Sequence, residues 1–129
     1  MRIVNAILLV LASATLLQAK LVVKVDEPKK VGGKSVVRLT ITNSFKEKVE
    51  SARAQVFLLD DKGKLVGQAS QWVIGGAKDK PALAPGAFTT YNFVIPTERP
   101  FASTKVSFSR IVLEGGKVAD PQRDFEMVR

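Results

Sequence analysis

The sequence predicts an all-β protein built from two layers of antiparallel sheet behind a removable N-terminal leader. Apolar and polar residues alternate in short runs, turn residues interrupt those runs at intervals of about ten, and no helical period follows Ala19. A chain with those properties buries one face of each strand and leaves the other to water.

Met1 to Ala19 reads as a secretory signal peptide. Arg2 supplies the positive start, Ile3 to Leu17 is apolar apart from Asn5, Ser13 and Thr15, and small residues follow. The run is shorter than the roughly 20 residues needed to span a bilayer, so cleavage is expected rather than anchoring. Cleavage after Ala19 lets the apolar run finish, and Ala12-Ser13-Ala14 offers an earlier cut. The domain is then Lys20 to Arg129, exported to the periplasm or the medium, with no transmembrane span left after cleavage.

The first strand expected is Lys20 to Val25, stopped by Pro28 to Gly33. Val37, Leu39 and Ile41 alternate with Arg38, Thr40 and Thr42 in the clearest strand of the chain. Asn43 to Ser51 is a polar connection with Phe45 and Val49 turned inward. Ala54, Val56 and Leu58 form the apolar phase of the next strand, and Asp60-Asp61-Lys62-Gly63 is a hairpin turn. The return runs through Leu65 and Val66 to Trp72, Val73 and Ile74, and Gly75-Gly76 stops it. Lys78 to Gly86 is a loop, and Tyr91, Phe93 and Ile95 mark a strand ended by Pro96 and Pro100. Val106 and Phe108 fall in one phase and Ile111 and Leu113 in the other, so a bulge is expected near Ser109 or Arg110. Glu114 to Lys117 is a second turn, and Lys117 to Val128 is a last strand whose Pro121 suits a sheet edge. About seven short strands of this kind point to an antiparallel sandwich of immunoglobulin-like type, with a small barrel as the alternative.

Leu39-Thr40-Ile41-Thr42-Asn43, Val56-Phe57-Leu58-Leu59-Asp60 with Gly63 beyond it, and Leu83-Ala84-Pro85-Gly86 ahead of Phe93 together resemble the FxLYD-type domains of bacterial exported proteins. Val56 stands where that family has its first aromatic, and Leu59 where it has Tyr. The resemblance implies a small immunoglobulin-like module without a known general activity, and so bears on the fold more than on the function.

The residues absent from the chain narrow its chemistry. Without histidine or cysteine there is no Ser-His-Asp or Cys-His nucleophile, no thiolate or imidazole metal site, no disulfide and no lipidated cysteine. Only Met1 and Met127 could offer thioether sulfur to copper, and no Ser-x-x-Lys or Gly-x-Ser-x-Gly pattern occurs. Gly33-Lys34-Ser35 imitates the end of a phosphate-binding loop, but Pro28 occupies the place of its first glycine and a strand follows instead of a helix. Asp60-Asp61 brings too few carboxylates for calcium. No catalytic residue, metal or cofactor is therefore assigned.

Binding candidates remain. Lysine and arginine number 20 against 12 acids, a net charge of +8 that attracts polyanions. Lys29, Lys30 and Lys34 form the main basic cluster, with Lys46 and Lys48 a weaker one. Phe57 and Leu59 lie opposite Val56 and Leu58 on their strand and are a candidate partner face. Trp72 is expected between the two sheets, where an exposed position would instead suit stacking on a glycan or base. The sequence thus points to a non-catalytic exported module that contacts a protein or envelope component, or alternatively to a polyanion-binding module using the three lysines. A surface-assembly subunit that pairs through Lys20 to Val25 is a third reading.

Overall fold

The computed structural model describes residues 19–76, 80–97 and 99–128, so the signal-peptide reading lies outside the described residues. Eight strands make up two sheets: β1 Leu21–Val25, β2 Lys29–Val31, β3 Lys34–Asn43, β4 Val49–Leu59, β5 Leu65–Ile74, β6 Phe88–Pro96, β7 Ser103–Leu113 and β8 Phe125–Val128. In the first sheet β6 runs along the whole length of β3, while β1 and β2 share the opposite edge of β3 and β8 lies outside β1. The second sheet is β5-β4-β7.

The central strands follow the period of two read from their sequences. Val37, Leu39 and Ile41 of β3 and Ala52, Ala54, Val56 and Leu58 of β4 are fully buried, and the residues between them face outward. The inner faces of both sheets meet in one cluster that also takes Leu21, Val23, Phe93, Ile95, Val106, Phe108 and Ile111. Each large aliphatic or aromatic residue in it is worth about 1.5–3 kcal/mol of burial, which gives a disulfide-free domain its stability.

Local chemistry sets the reversals. At Asp60 to Gly63 the Asp60 carboxylate accepts the amides of Lys62 and Lys64, and Gly63 takes φ 79° to close the hairpin. The phase change in β7 is the expected bulge: Arg110 pairs with Arg53 and Phe108 with Ala54, leaving Ser109 without a partner in the register. Asn43 ends β3 at a crossing of three loops. It exchanges backbone hydrogen bonds with Gly86 and Ala87, and its side chain reaches the carbonyls of Glu47 and Leu83.

Several expectations are corrected. The sheet is not wholly antiparallel, because β8 pairs parallel to β1. The Pro28 to Gly33 break contains a short strand, β2, which pairs with β3 across the turn. The last strand does not start at Lys117. After one bridge between Val112 and Val118, the chain makes a turn in which Asp120 accepts the amides of Gln122 and Arg123. Pro121 lies in that turn and not in a strand. The turn redirects the chain away from β7 so that Phe125 can pack against Phe108, with ring centroids 5.0 Å apart, while β8 joins the first sheet.

Candidate functional site

Lys29 pairs with Val36 and Val31 with Lys34, so Lys29 and Lys34 project from the outer face of the first sheet together with Val31 and Val36. Lys30 pairs with Ser35, whose side chain is buried, and therefore lies on the other side of β2. There it borders a cleft of about 520 Å³ formed with Asp26, Glu27, Pro28 and Phe101 to Thr104. The structure thus divides the three lysines by the pleat, two on the sheet face and one at the end of the core.

Two cations that the linear reading passed over complete the face. Lys24 pairs with Thr40, and Arg38 projects on the same side of β3 as Thr40 and Lys34. Taken along β3, a cation stands at four successive outward levels: Lys24 beside residue 40, Arg38 at 38, Lys29 beside residue 36, and Lys34 at 34. Outward levels are about 6.6 Å apart, so the four make a zigzag ladder roughly 20 Å long. The signal for it was present in the sequence, since Lys24 and Arg38 occupy the polar phase of their strands.

Among the described residues the ladder has no neutralising ion pair. Among the described residues the ion pairs are Lys20–Glu126, Lys117–Glu47 and Arg123–Asp124, and none includes Lys24, Lys29, Lys34 or Arg38. Carboxylates are concentrated in the turns and loops, and the strands hold only Glu50 and Glu126. At the edge of the ladder Asp26 donates its backbone amide to the Arg38 carbonyl. At the opposite end Lys20 is paired with Glu126 at 3.4 Å, leaving that corner close to neutral.

Apolar side chains flank the ladder. Phe88 and Val94 project outward from β6, Val31 from β2 and Val128 from β8, with exposures of 68%, 50%, 63% and 37%. These are four of the six large hydrophobic residues that the described surface exposes, the others being Leu65 and Val118.

The outer face of the second sheet carries Phe57 and Leu59, both half-buried. Phe57 stands between Gln68 and Lys105, and Leu59 between Leu65 and Ser103. Trp72 is on this face too, which corrects the expectation that it lies between the sheets. The Arg53 guanidinium is 5.8 Å from the indole centroid and donates to the Ser70 hydroxyl at 3.1 Å. The ring is also tight against Gly76, where a Cβ would sit 2.5 Å from Cγ. The core positions on β5 go to Val73 and Ile74 instead, because the register shifts between Ala52 and Arg53.

Among the described residues no group of His, Cys, Asp or Glu is arranged to hold a metal ion, and no helix is long and apolar enough to cross a membrane. The Ser35 hydroxyl is buried without a hydrogen-bond partner, but it is enclosed between β2 and β6 and does not line the cleft.

No family model matches this chain, and no curated protein matches it. Its fold is similar to that of IrmA from Escherichia coli, with a TM-score of 0.58, 13% identity, and coverage of 85% of this chain and 92% of that one. It is also similar to the ApaA protein of Bordetella pertussis, with a TM-score of 0.56, 21% identity, and coverage of 78% and 85%. At such identities the likeness is one of fold.

Proposed function

We propose that this chain is an exported, non-catalytic binding module that holds an anionic envelope component on the outer face of its first sheet. The observation that carries the reading is the ladder of Lys24, Arg38, Lys29 and Lys34, four cations at successive levels of one surface that form no ion pair among the described residues. Unpaired cations on one face create a positive potential that neutralised pairs do not. The absence of histidine and cysteine from the sequence supports holding over turnover. In this reading the module is an immunoglobulin-like sandwich related to FxLYD-type domains. Support comes from the two-sheet core and from the meeting of Asn43 with Gly86, which joins two separate pieces of the motif.

The test has two parts. N-terminal sequencing of the protein recovered from cells should begin at Lys20 or Thr15, and a chain that keeps Met1 in the cytosol overturns the export. Retention on an immobilised polyanion such as heparin should fall steeply with salt and drop further in a Lys29→Gln, Lys34→Gln variant. Retention that ignores both overturns the anionic partner.

A protein contact at Phe57 and Leu59 is the second reading. It is favoured by Leu65, which is 45% exposed directly opposite Leu59 and extends the apolar area.

A further inference from the structure

We propose that the outer face of the first sheet docks on an anionic phospholipid bilayer. The inference rests on the proposed role of that face as the binding surface and names its occupant.

The charge arrangement alone would serve any polyanion. The distinguishing observation is that the ladder shares its face with Val31, Phe88, Val94 and Val128, four of the six exposed large hydrophobics of the described surface. The apolar residues stand on both sides of the cations, Val31 and Val128 on β2 and β8 and Phe88 and Val94 on β6. Cations follow the seam between β3 and the β1 and β2 strands, while Phe88 and Val94 lie across β3 on β6, which among the described residues pairs with no other strand. A soluble polyanion would neutralise the seam and leave the β6 side chains in water. A bilayer surface presents both of the layers that such a face requires, phosphate groups for Lys24, Lys29, Lys34 and Arg38 and an acyl boundary for Phe88 and Val94.

The threonines between them fit the same occupant. Thr40 pairs with Lys24 on one side and Thr90 on the other, in the strip between cations and apolar edge, and their short hydroxyls suit the depth of the headgroups. Among the described residues the acidic groups on this face are Glu126, which is engaged with Lys20, and Asp26 at its border. The opposite surface of the domain also carries cations, Arg53, Lys105 and Arg110, but its aromatic residues Phe57 and Trp72 are half-buried. That surface provides an internal control of similar charge.

The experiment is co-sedimentation of the protein, as recovered from expressing cells, with vesicles of phosphatidylcholine alone and of phosphatidylcholine mixed with phosphatidylglycerol. Binding is expected only to the mixed vesicles and should weaken with added salt. Each lysine near an anionic surface is worth about a fivefold change in binding, so Lys29→Gln with Lys34→Gln should lower it roughly 25-fold. Phe88→Ser should weaken it several-fold at low salt and leave the salt dependence intact, and Lys105→Gln should have little effect. Circular dichroism of each variant confirms that these exposed substitutions leave the sheets formed.

Binding to heparin or soluble polyphosphate without binding to the vesicles overturns the bilayer as occupant and leaves the proposed function standing. Failure to bind either overturns both. Vesicle binding that is indifferent to Phe88→Ser, or that falls as much with Lys105→Gln as with Lys29→Gln, also overturns the assignment.

Discussion

Asn43, fully buried, donates from Nδ2 to the carbonyl of Leu83 at 2.9 Å and so ties the end of β3 to a loop forty residues further along the chain. The same amide nitrogen donates to the Glu47 carbonyl, and its oxygen accepts the Phe45 amide at 2.8 Å. One side chain therefore satisfies three backbone groups where the chain passes between sheets.

Replacing Asn43 by Ala strands those groups in or near the core. Each unsatisfied buried polar group costs about 1–3 kcal/mol, so the variant should lose roughly 3 kcal/mol or more. Urea unfolding should show a lower midpoint with an unchanged slope. Asn43→Asp should also destabilise, because an ionised carboxylate cannot donate to the Leu83 and Glu47 carbonyls.

Glycine substitutions should separate two kinds of turn. Gly75 has φ 60°, and a Cβ there would run into the Glu50 carbonyl oxygen and the Ser51 side chain. Gly63 also has positive φ but faces open space. Gly63→Ala should cost about 1–2 kcal/mol of backbone strain, and Gly75→Ala more than about 3 kcal/mol. Thermal melts of the two variants measure the difference, and equal losses would contradict the packing described at Gly75.

Trp72 should report its own position. Its half-exposed ring beside Arg53 is open to solvent quenchers, and the guanidinium favours anions over cations. Iodide should therefore quench the fluorescence more strongly than caesium, and Arg53→Gln should narrow the gap. A tryptophan protected from both would return the ring to the core.

Acid should loosen the turn before β8. A hydrogen bond from Arg123 holds the Asp124 carboxyl below its ordinary value of 3.8, and the Asp120 amide adds to the effect. Because the folded value is the lower one, the stabilisation is present above the ordinary value and is lost as pH falls through the lowered one. The exchange rate of β8 amides relative to those of β4, each corrected for its intrinsic pH dependence, should be constant from neutral pH down to about 5 and rise in stronger acid. Asp124→Asn should remove that dependence.

Elements governed by local pattern were legible in the sequence. The alternation in β3 and β4, the Asp60 to Gly63 turn and the bulge at Ser109 all follow from neighbouring residues and a period of two. The parallel seat of β8 was not legible, because four residues carry no sign of which edge they will join. Trp72 was misplaced for a related reason: a register shift opposite Ala52 and Arg53 decides which β5 residues face inward. The cation ladder shows both sides of the problem. Lys29, Lys30 and Lys34 are adjacent in sequence and are parted by the pleat, whereas Lys24 and Arg38 reach the same surface only through the pairing of β1 with β3.

The seat of β8 against β1 bears on how the protein is made. β1 is enclosed by β3 on one side and β8 on the other, so its flank stays open until a strand about a hundred residues later is made. Until residues 125–128 emerge, the nascent chain carries an open hydrogen-bonding edge at Leu21–Val25, and closure requires a contact of nearly the greatest sequence separation the fold allows. A chain truncated before β8 therefore presents an adhesive strand to its neighbours.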